Sequence, residues 1–280
     1  MNNSLKSRLR NSWLRVFGFF LVDTINNLKV KVLKRDLVLI YQMGKVASSS
    51  IYNSLKDKKN VTYQIHRFDE DYIKEVNDFN KNKSGFSESK IVDERSVRIK
   101  KLFLKKPSKP IFLISLVRDP IERNVSAFFQ NKNHLAKNYS YANTQDLIEL
   151  FYNLYAHETP LIWFDKEFKK TTGVDVYDFP FNKKQKHTIF NANNFNVLLL
   201  RVDLEDSEKS KIIQQFLSED VVEIKNKNIG ALKGYNSEYK EFIKNLDINE
   251  AYLDKMLSSK FIKHFYTEEE VQAMYNKWHS

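Results

Sequence analysis

The chain of 280 residues contains no cysteine. That absence excludes disulfide frameworks, thiolate nucleophiles, zinc–thiolate sites and iron–sulfur clusters together, and fits a reducing cytosol. No apolar run reaches the roughly 20 residues that a membrane-spanning helix needs. The most apolar early stretch, Trp13 to Val22, is broken by Arg15 and followed by Asp23. No small-residue cleavage site follows it, which argues against a secretory signal. Internal repeats and low-complexity linkers are missing, so solenoids and strings of tethered modules are excluded. The six histidines show no His-Glu-x-x-His spacing, and no metal is expected.

What is present suits a large folded body. Hydrophobic residues make up 42% of the chain, aromatics 14% and charged residues 29%, enough to bury a sizeable core. Residues 1–35 are expected to form a basic amphipathic helix and residues 36–280 a single domain. Lys plus Arg number 46 against 35 for Asp plus Glu, a formal charge of +11, which calls for an acidic partner. Nucleic acid, an anionic membrane surface and a phosphorylated small molecule all fit that sign. The N-terminal helix either packs on the body or, through residues 6–22 and the cations Lys6, Arg8, Arg10 and Arg15, makes peripheral contact with an anionic inner leaflet.

From Asp36 strand and helix patterns alternate. Leu37 to Tyr41 and Ile111 to Val117 are continuous apolar runs of the kind buried on both faces of a parallel sheet, and Val61 to Ile65 is a weaker β-branched strand. A helix carrying Tyr72, Ile73, Val76 and Phe79 precedes a polar loop, Asn80 to Ser89, and another helix runs from Ile91 to Lys105. Asp119-Pro120 predicts a capped helix start, with Ile121, Val125 and Phe128 on the core stripe and Arg123 and Ser126 off it. Helices over Thr144 to Tyr155 and Pro160 to Lys170 follow, the second stopped by Thr172-Gly173. A loop-rich stretch then reaches Asn193, Phe195 to Arg201 is a fourth strand, Ser207 to Leu217 is its helix, and Val221 to Lys225 is a candidate fifth strand. The remainder is mostly helical and ends in a helix opened by the capping box Thr267-x-x-Glu270. The fold expected is α/β, three-layered, with a mostly parallel sheet of about four or five strands flanked by helices and a helical C-terminal region.

Between the first strand and its helix lies Gln42-Met43-Gly44-Lys45-Val46-Ala47-Ser48-Ser49-Ser50-Ile51. Small residues and hydroxyls at a helix N-terminus, beside one lysine, make an anion site: unpaired N–H groups and the helix dipole face whatever fills the turn. A Walker A loop fails, because Leu39 stands where its first glycine belongs and Val46 follows the lysine. The segment Lys45-Val46-Ala47-Ser48-Ser49 resembles the 5′-phosphosulfate loop of the sulfotransferases, with Ala47 in place of a glycine. After the third strand, Arg118-Asp119-Pro120 with Ser126 eight residues beyond Arg118 is similar to the 3′-phosphate motif of the same family. An arginine at a strand end and a serine on the next helix can converge on one phosphate, with bidentate guanidinium contacts giving orientation.

The resemblance implies a P-loop-like fold and 3′-phosphoadenosine 5′-phosphosulfate as co-substrate. It implies that Gly44, Lys45, Val46, Ala47, Ser48, Ser49 and Ser50 cradle the 5′-phosphate, that Arg118 and Ser126 hold the 3′-phosphate, and that Lys45 stabilises the leaving group. Lys233, in the run Asn228-x-Gly230-x-x-Lys233, is a candidate cover for the 3′-phosphate or adenine. His66, straight after the second strand, is the expected base for the acceptor hydroxyl, with Asp69 or Glu70 as alternatives. Phe195 to Leu204 is similar to a later core strand of carbohydrate sulfotransferases. The terminal Asn276-Lys277-Trp278-His279-Ser280 resembles the Asn-Lys-Trp-Tyr-Ser signature of a bacterial family named for capsular polysaccharide synthesis, with Trp278 read as a structural anchor. These likenesses imply a carbohydrate acceptor at a cytoplasmic site. Candidate acceptor surfaces are Asn80 to Ser89, Asn131 to Ala142 and Val176 to Asn193. The rivals are a non-catalytic protein of polysaccharide assembly on the same fold, a magnesium-dependent kinase, and a nucleic-acid-binding protein, for which no Arg- and aromatic-interleaved motif is present.

Overall fold

The computed structural model describes residues 3–84, 90–135, 141–219, 222–224 and 236–279. Five strands form one sheet in the order β2-β1-β3-β5-β4: β1 Leu37–Tyr41, β2 Val61–Ile65, β3 Ile111–Val117, β4 His187–Ala192 and β5 Phe195–Arg201. The first four in that order are parallel, in register through Leu39↔Tyr63, Leu39↔Leu113 and Leu113↔Val197. β1 is buried along its whole length and β3 and β5 nearly so, which is why their sequences are unbroken apolar runs. The chain leaves β1 toward β2 on one side and returns through β3 on the other. The carboxyl ends of β1 and β3 therefore flank a topological switch point, where open α/β sheets hold their ligands.

β4 corrects the sequence reading. Of the expected fifth strand at Val221 to Lys225, the described residues 222–224 have no strand pairing, and the Ile224 N–H donates to Ser210 Oγ instead of to a ladder. The fifth strand comes from the stretch read as loop, pairing antiparallel with β5 from His187↔Leu200 to Ala192↔Phe195. The two-residue connection is possible because Asn193 takes the left-handed conformation (φ 53°) that asparagine tolerates.

Helices cover both faces. α2 Ser48–Leu55 follows β1, α3 Glu70–Ser84 follows β2, α4 Lys90–Phe103 precedes β3, and α5 Pro120–Leu135 follows it. α3 continues through residues 80–84, which the sequence reading placed in a loop. On α5 the stripe Ile121, Val125 and Phe128 is buried as its spacing predicts, and Asp119 Oδ1 accepts from the N–H groups of Ile121 and Glu122 as the cap. α6 Thr144–Leu154 and α7 Thr159–Trp163 follow, and α7 runs through a π turn, Phe164–Lys169, into α8 Lys170–Thr172. Gly173 (φ 70°) closes that helix in the left-handed conformation anticipated for a C-terminal stop. After β5 come α9 Asp206–Leu217, α10 Asn236–Asn245, α11 Glu250–Leu257, α12 Lys260–Phe265 and α13 Glu268–Trp278, the last with the anticipated capping box.

α1 Asn3–Lys31 is one long helix, fastened to the body at Asp23. Asp23 is almost completely buried, accepts from Arg95 (2.9 Å) and Arg98 (2.5 Å) of α4, and receives the Tyr63 hydroxyl of β2 (3.1 Å). A buried carboxylate left without such partners would cost ~3–5 kcal/mol, so this cluster fastens the helix to the body. Trp13, Leu14, Phe17, Phe20 and Leu21 stay exposed. No described helix is long and apolar enough to cross a membrane.

Candidate active site

The turn between β1 and α2 is set by backbone strain at two residues that are not glycine. Lys45 (φ 74°) and Ala47 (φ 57°) both occupy the left-handed region, whereas Gly44 does not. The family's glycine therefore corresponds to a position that needs left-handed geometry, and Ala47 adopts it at a cost of about 1 kcal/mol. Ala47 is also the N-cap of α2 and supplies no side-chain cap, which leaves the first-turn N–H groups of that helix open to an anion. The Val46 side chain is fully buried in the core and does not line the cavity, which leaves only its backbone to take part in the expected cradle.

The turn opens on a cavity of about 680 Å³, within the usual range for small-molecule sites. It collects Gly44, Lys45, Ala47, Ser48, Ser49, Ser50, His66, Arg118 and Ser126, all from the carboxyl edge of the sheet and the helices that follow. Lys233 lies outside the described residues. Arg67 and Arg123 add two cations, so Lys45, Arg67, Arg118 and Arg123 line the cavity while no described carboxylate does. Arg67 is paired with Asp93 and Arg118 with Glu122 behind the wall, and the cationic face left toward the cavity favours an anion. Asp69 and Glu70, the alternative bases, are not in this wall: Asp69 Oδ1 accepts the Tyr72 N–H, and Glu70 faces the groove between α3 and α4.

Two arginines of the third-strand element strap the turn in place. Arg118 Nη1 donates to the Lys45 carbonyl (3.0 Å), and its Nε faces Glu122 Oε2 (3.3 Å). Arg123, nearly buried, donates from Nε to the Gly44 carbonyl (3.1 Å) and from Nη1 to the Tyr155 hydroxyl (2.8 Å). Helical spacing placed Arg123 off the core stripe but gave no hint of this anchoring, which depends on how α6 and the turn meet α5.

Buried amides orient the serine and the histidine. Ser48 Oγ accepts from Gln42 Nε2 (2.6 Å) and Gln64 Nε2 (2.7 Å), so both of its lone pairs are engaged and its own proton remains to be donated. His66 Nδ1 lies 3.1 Å from the Gln42 carbonyl oxygen, which can only accept. Gln42 Nε2, a donor, lies at the same distance from Nδ1, so the contacts at Nδ1 fit either tautomer, and Nε2 has no protein partner among the described residues. His66 lines the cavity and is exposed to solvent through it. Desolvation by the protein packed around the ring lowers its pKa below the ordinary imidazole value, the Gln42 carbonyl opposes the shift, and Arg67, Arg123 and Lys45 add to it.

The turn carrying His66 is itself held from behind. Trp163 Nε1 donates to the His66 carbonyl (3.0 Å). Glu167, fully buried in the π turn, accepts from the Tyr41 hydroxyl and from the N–H groups of Phe68 (2.5 Å) and Asp69 (3.1 Å). Burial raises the Glu167 pKa, and these donors oppose the rise. None of these supports was visible in the sequence, because each pairs residues about a hundred positions apart.

Of the other histidines, His157 is structural: Nδ1 meets the Tyr252 hydroxyl and Nε2 the Phe151 carbonyl (both 2.8 Å), and burial brings its pKa to about 4. Among the described residues no group of three or more His, Asp or Glu side chains could hold a metal ion. Of the three candidate acceptor stretches, Asn80 and Asn131 reach the cavity, and no residue of Val176 to Asn193 does.

No curated protein and no solved structure matches the chain. The family described as capsular polysaccharide synthesis proteins matches residues 140–267, ending before the run Asn276 to Ser280. The sulfotransferase family matches residues 29–169, half of the chain. That segment contains β1, β2, β3 and every residue lining the cavity, and the chain belongs to the sulfotransferase family.

Proposed function

We propose that the protein transfers a sulfuryl group from 3′-phosphoadenosine 5′-phosphosulfate to a hydroxyl of a carbohydrate. The observation that carries this reading is the wall of four cations and no carboxylate over an uncapped helix N-terminus. Two phosphates and a sulfuryl group match that charge, and Ser48, forced to be a donor, suits a phosphate oxygen. The backbone from Gly44 to Ser50 with Ser48 and Ser49 takes the 5′-phosphate, and Arg118 with Ser126 takes the 3′-phosphate.

The acceptor oxygen attacks sulfur in line as the bond to the bridging phosphate oxygen breaks. His66 Nε2 takes the hydroxyl proton, and Lys45 stabilises the charge that develops on the departing oxygen. Acceptor binding falls to the uncharged polar wall of Asn80, Gln130, Asn131 and Tyr72, side chains of the kind that pair with sugar hydroxyls. The match to the capsular polysaccharide family supports a carbohydrate acceptor. The test is transfer of radiolabelled sulfate from the co-substrate to a panel of bacterial surface polysaccharides. Labelled polysaccharide with release of the 3′,5′-bisphosphate is expected. Tight bisphosphate binding without label transfer to any acceptor would favour a non-catalytic role in polysaccharide assembly.

A further inference from the structure

The run Lys277-Trp278 at the end of α13 reaches the third-strand element from the far side of the chain. Trp278 is buried, and its Nε1 donates to Asp119 Oδ2 (3.2 Å). Asp119 Oδ1 meanwhile caps α5 through the N–H groups of Ile121 (2.8 Å) and Glu122 (3.2 Å). Lys277 pairs with Glu122 Oε1 and lies over the Trp278 ring, 4.9 Å from its centroid. The other oxygen of Glu122 faces Arg118 Nε at 3.3 Å. The near end of α13 is fixed too, by Glu270 to Arg201 at the tip of β5 (2.6 and 2.7 Å). The helix is thus a brace between two strand ends, and its last turn acts on residues 118–122.

Charge makes this contact more than packing. Glu122 orients Arg118 but brings a negative charge beside the place where Arg118 meets an anion. Lys277 offsets that charge, and Trp278 fixes the carboxylate of Asp119 between the arginine and the helix start. We propose that Lys277 and Trp278 are positioning residues that tune the affinity of Arg118 for the nucleotide 3′-phosphate. The proposal rests on the reading of Arg118 as the 3′-phosphate ligand.

The experiment compares binding of adenosine 3′,5′-bisphosphate and AMP by calorimetry in the full chain and in Arg118→Ala, Lys277→Met, Lys277→Arg and Trp278→Phe. Lys277 is half exposed, so its replacement leaves the core intact. Lys277→Met and Trp278→Phe are expected to weaken the bisphosphate by about three- to tenfold and AMP by less than about twofold, and Lys277→Arg to restore the preference. Unchanged bisphosphate binding in Lys277→Met and Trp278→Phe, or equal losses for both nucleotides, overturns the proposal while leaving the Arg118 assignment standing. A wild type that binds both nucleotides equally, or an Arg118→Ala variant that still prefers the bisphosphate, overturns the assignment and the proposal with it.

Discussion

Replacing His66 with alanine removes the one histidine among the described residues lining the cavity, and with it the proposed base. Nδ1 is turned to the Gln42 carbonyl and side-chain amide, so the nitrogen left for the proposed role of base is Nε2. A positioned general base contributes about 10²–10⁴ in rate, or roughly 3–5.5 kcal/mol of barrier. His66→Ala should lower kcat by that factor while leaving the affinity for adenosine 3′,5′-bisphosphate within about threefold, because the phosphate-holding residues lie on other elements. The pH profile adds an independent reading. Desolvation and the neighbouring Arg67, Arg123 and Lys45 lower the His66 pKa, so kcat/KM should be flat at pH 7 and fall only on acidification, with a midpoint below about 6.5. The assay is initial rate of bisphosphate release over a range of acceptor concentrations from pH 5 to 8, which gives both kcat and kcat/KM. A variant retaining more than about a tenth of the wild-type kcat, or a wild-type limb centred above 6.5, would refute the assignment.

Other expectations follow from the surrounding structure. Ala47→Gly relieves a left-handed backbone and should raise the urea midpoint by the equivalent of ~0.5–1 kcal/mol; a lowered midpoint would contradict the strain. Glu167→Gln puts an amide among three donors that point at a buried carboxylate, and should cost ~2–4 kcal/mol by denaturant titration, with a loss under about 0.5 kcal/mol counting against that network. The exposed Trp13, Phe17 and Phe20 of α1, with cations nearby in the sequence, should carry the protein onto anionic vesicles in sedimentation but not onto neutral ones. Charged replacements at Trp13 and Phe17 should abolish that binding, and persistence would exclude the helix as its cause.

The parts of the fold that were legible in the sequence are those that physics writes locally. β1, β3 and β5 are apolar runs because both of their faces are covered, and Asp119-Pro120 and Thr267-x-x-Glu270 are caps whose partners lie within three residues. β4 was hidden because an edge strand has one open side: Ile189 is exposed, and the alternation looks like loop. At the site, the loop, Arg118 and His66 were legible because each sits next to a strand end, and Ser126 because it lies at a fixed spacing from Arg118 on the helix that follows. Arg123, Gln42, Gln64 and Glu167 were not. Their significance comes from which elements pack together, as when Glu167 meets Tyr41 from 126 positions away.

The central claim is that the cationic cavity selects a nucleotide carrying a 3′-phosphate. Thermal unfolding with adenosine 3′,5′-bisphosphate, AMP, and ATP with magnesium, each supplied at equal saturating concentration, tests it most directly. The bisphosphate at about a hundred times its Kd should stabilise by ~2.7 kcal/mol, a rise in Tm of about 5 °C, with little shift from the other two and with the rise lost in Arg118→Ala. An equal rise with ATP and magnesium, or no rise with the bisphosphate, would contradict it.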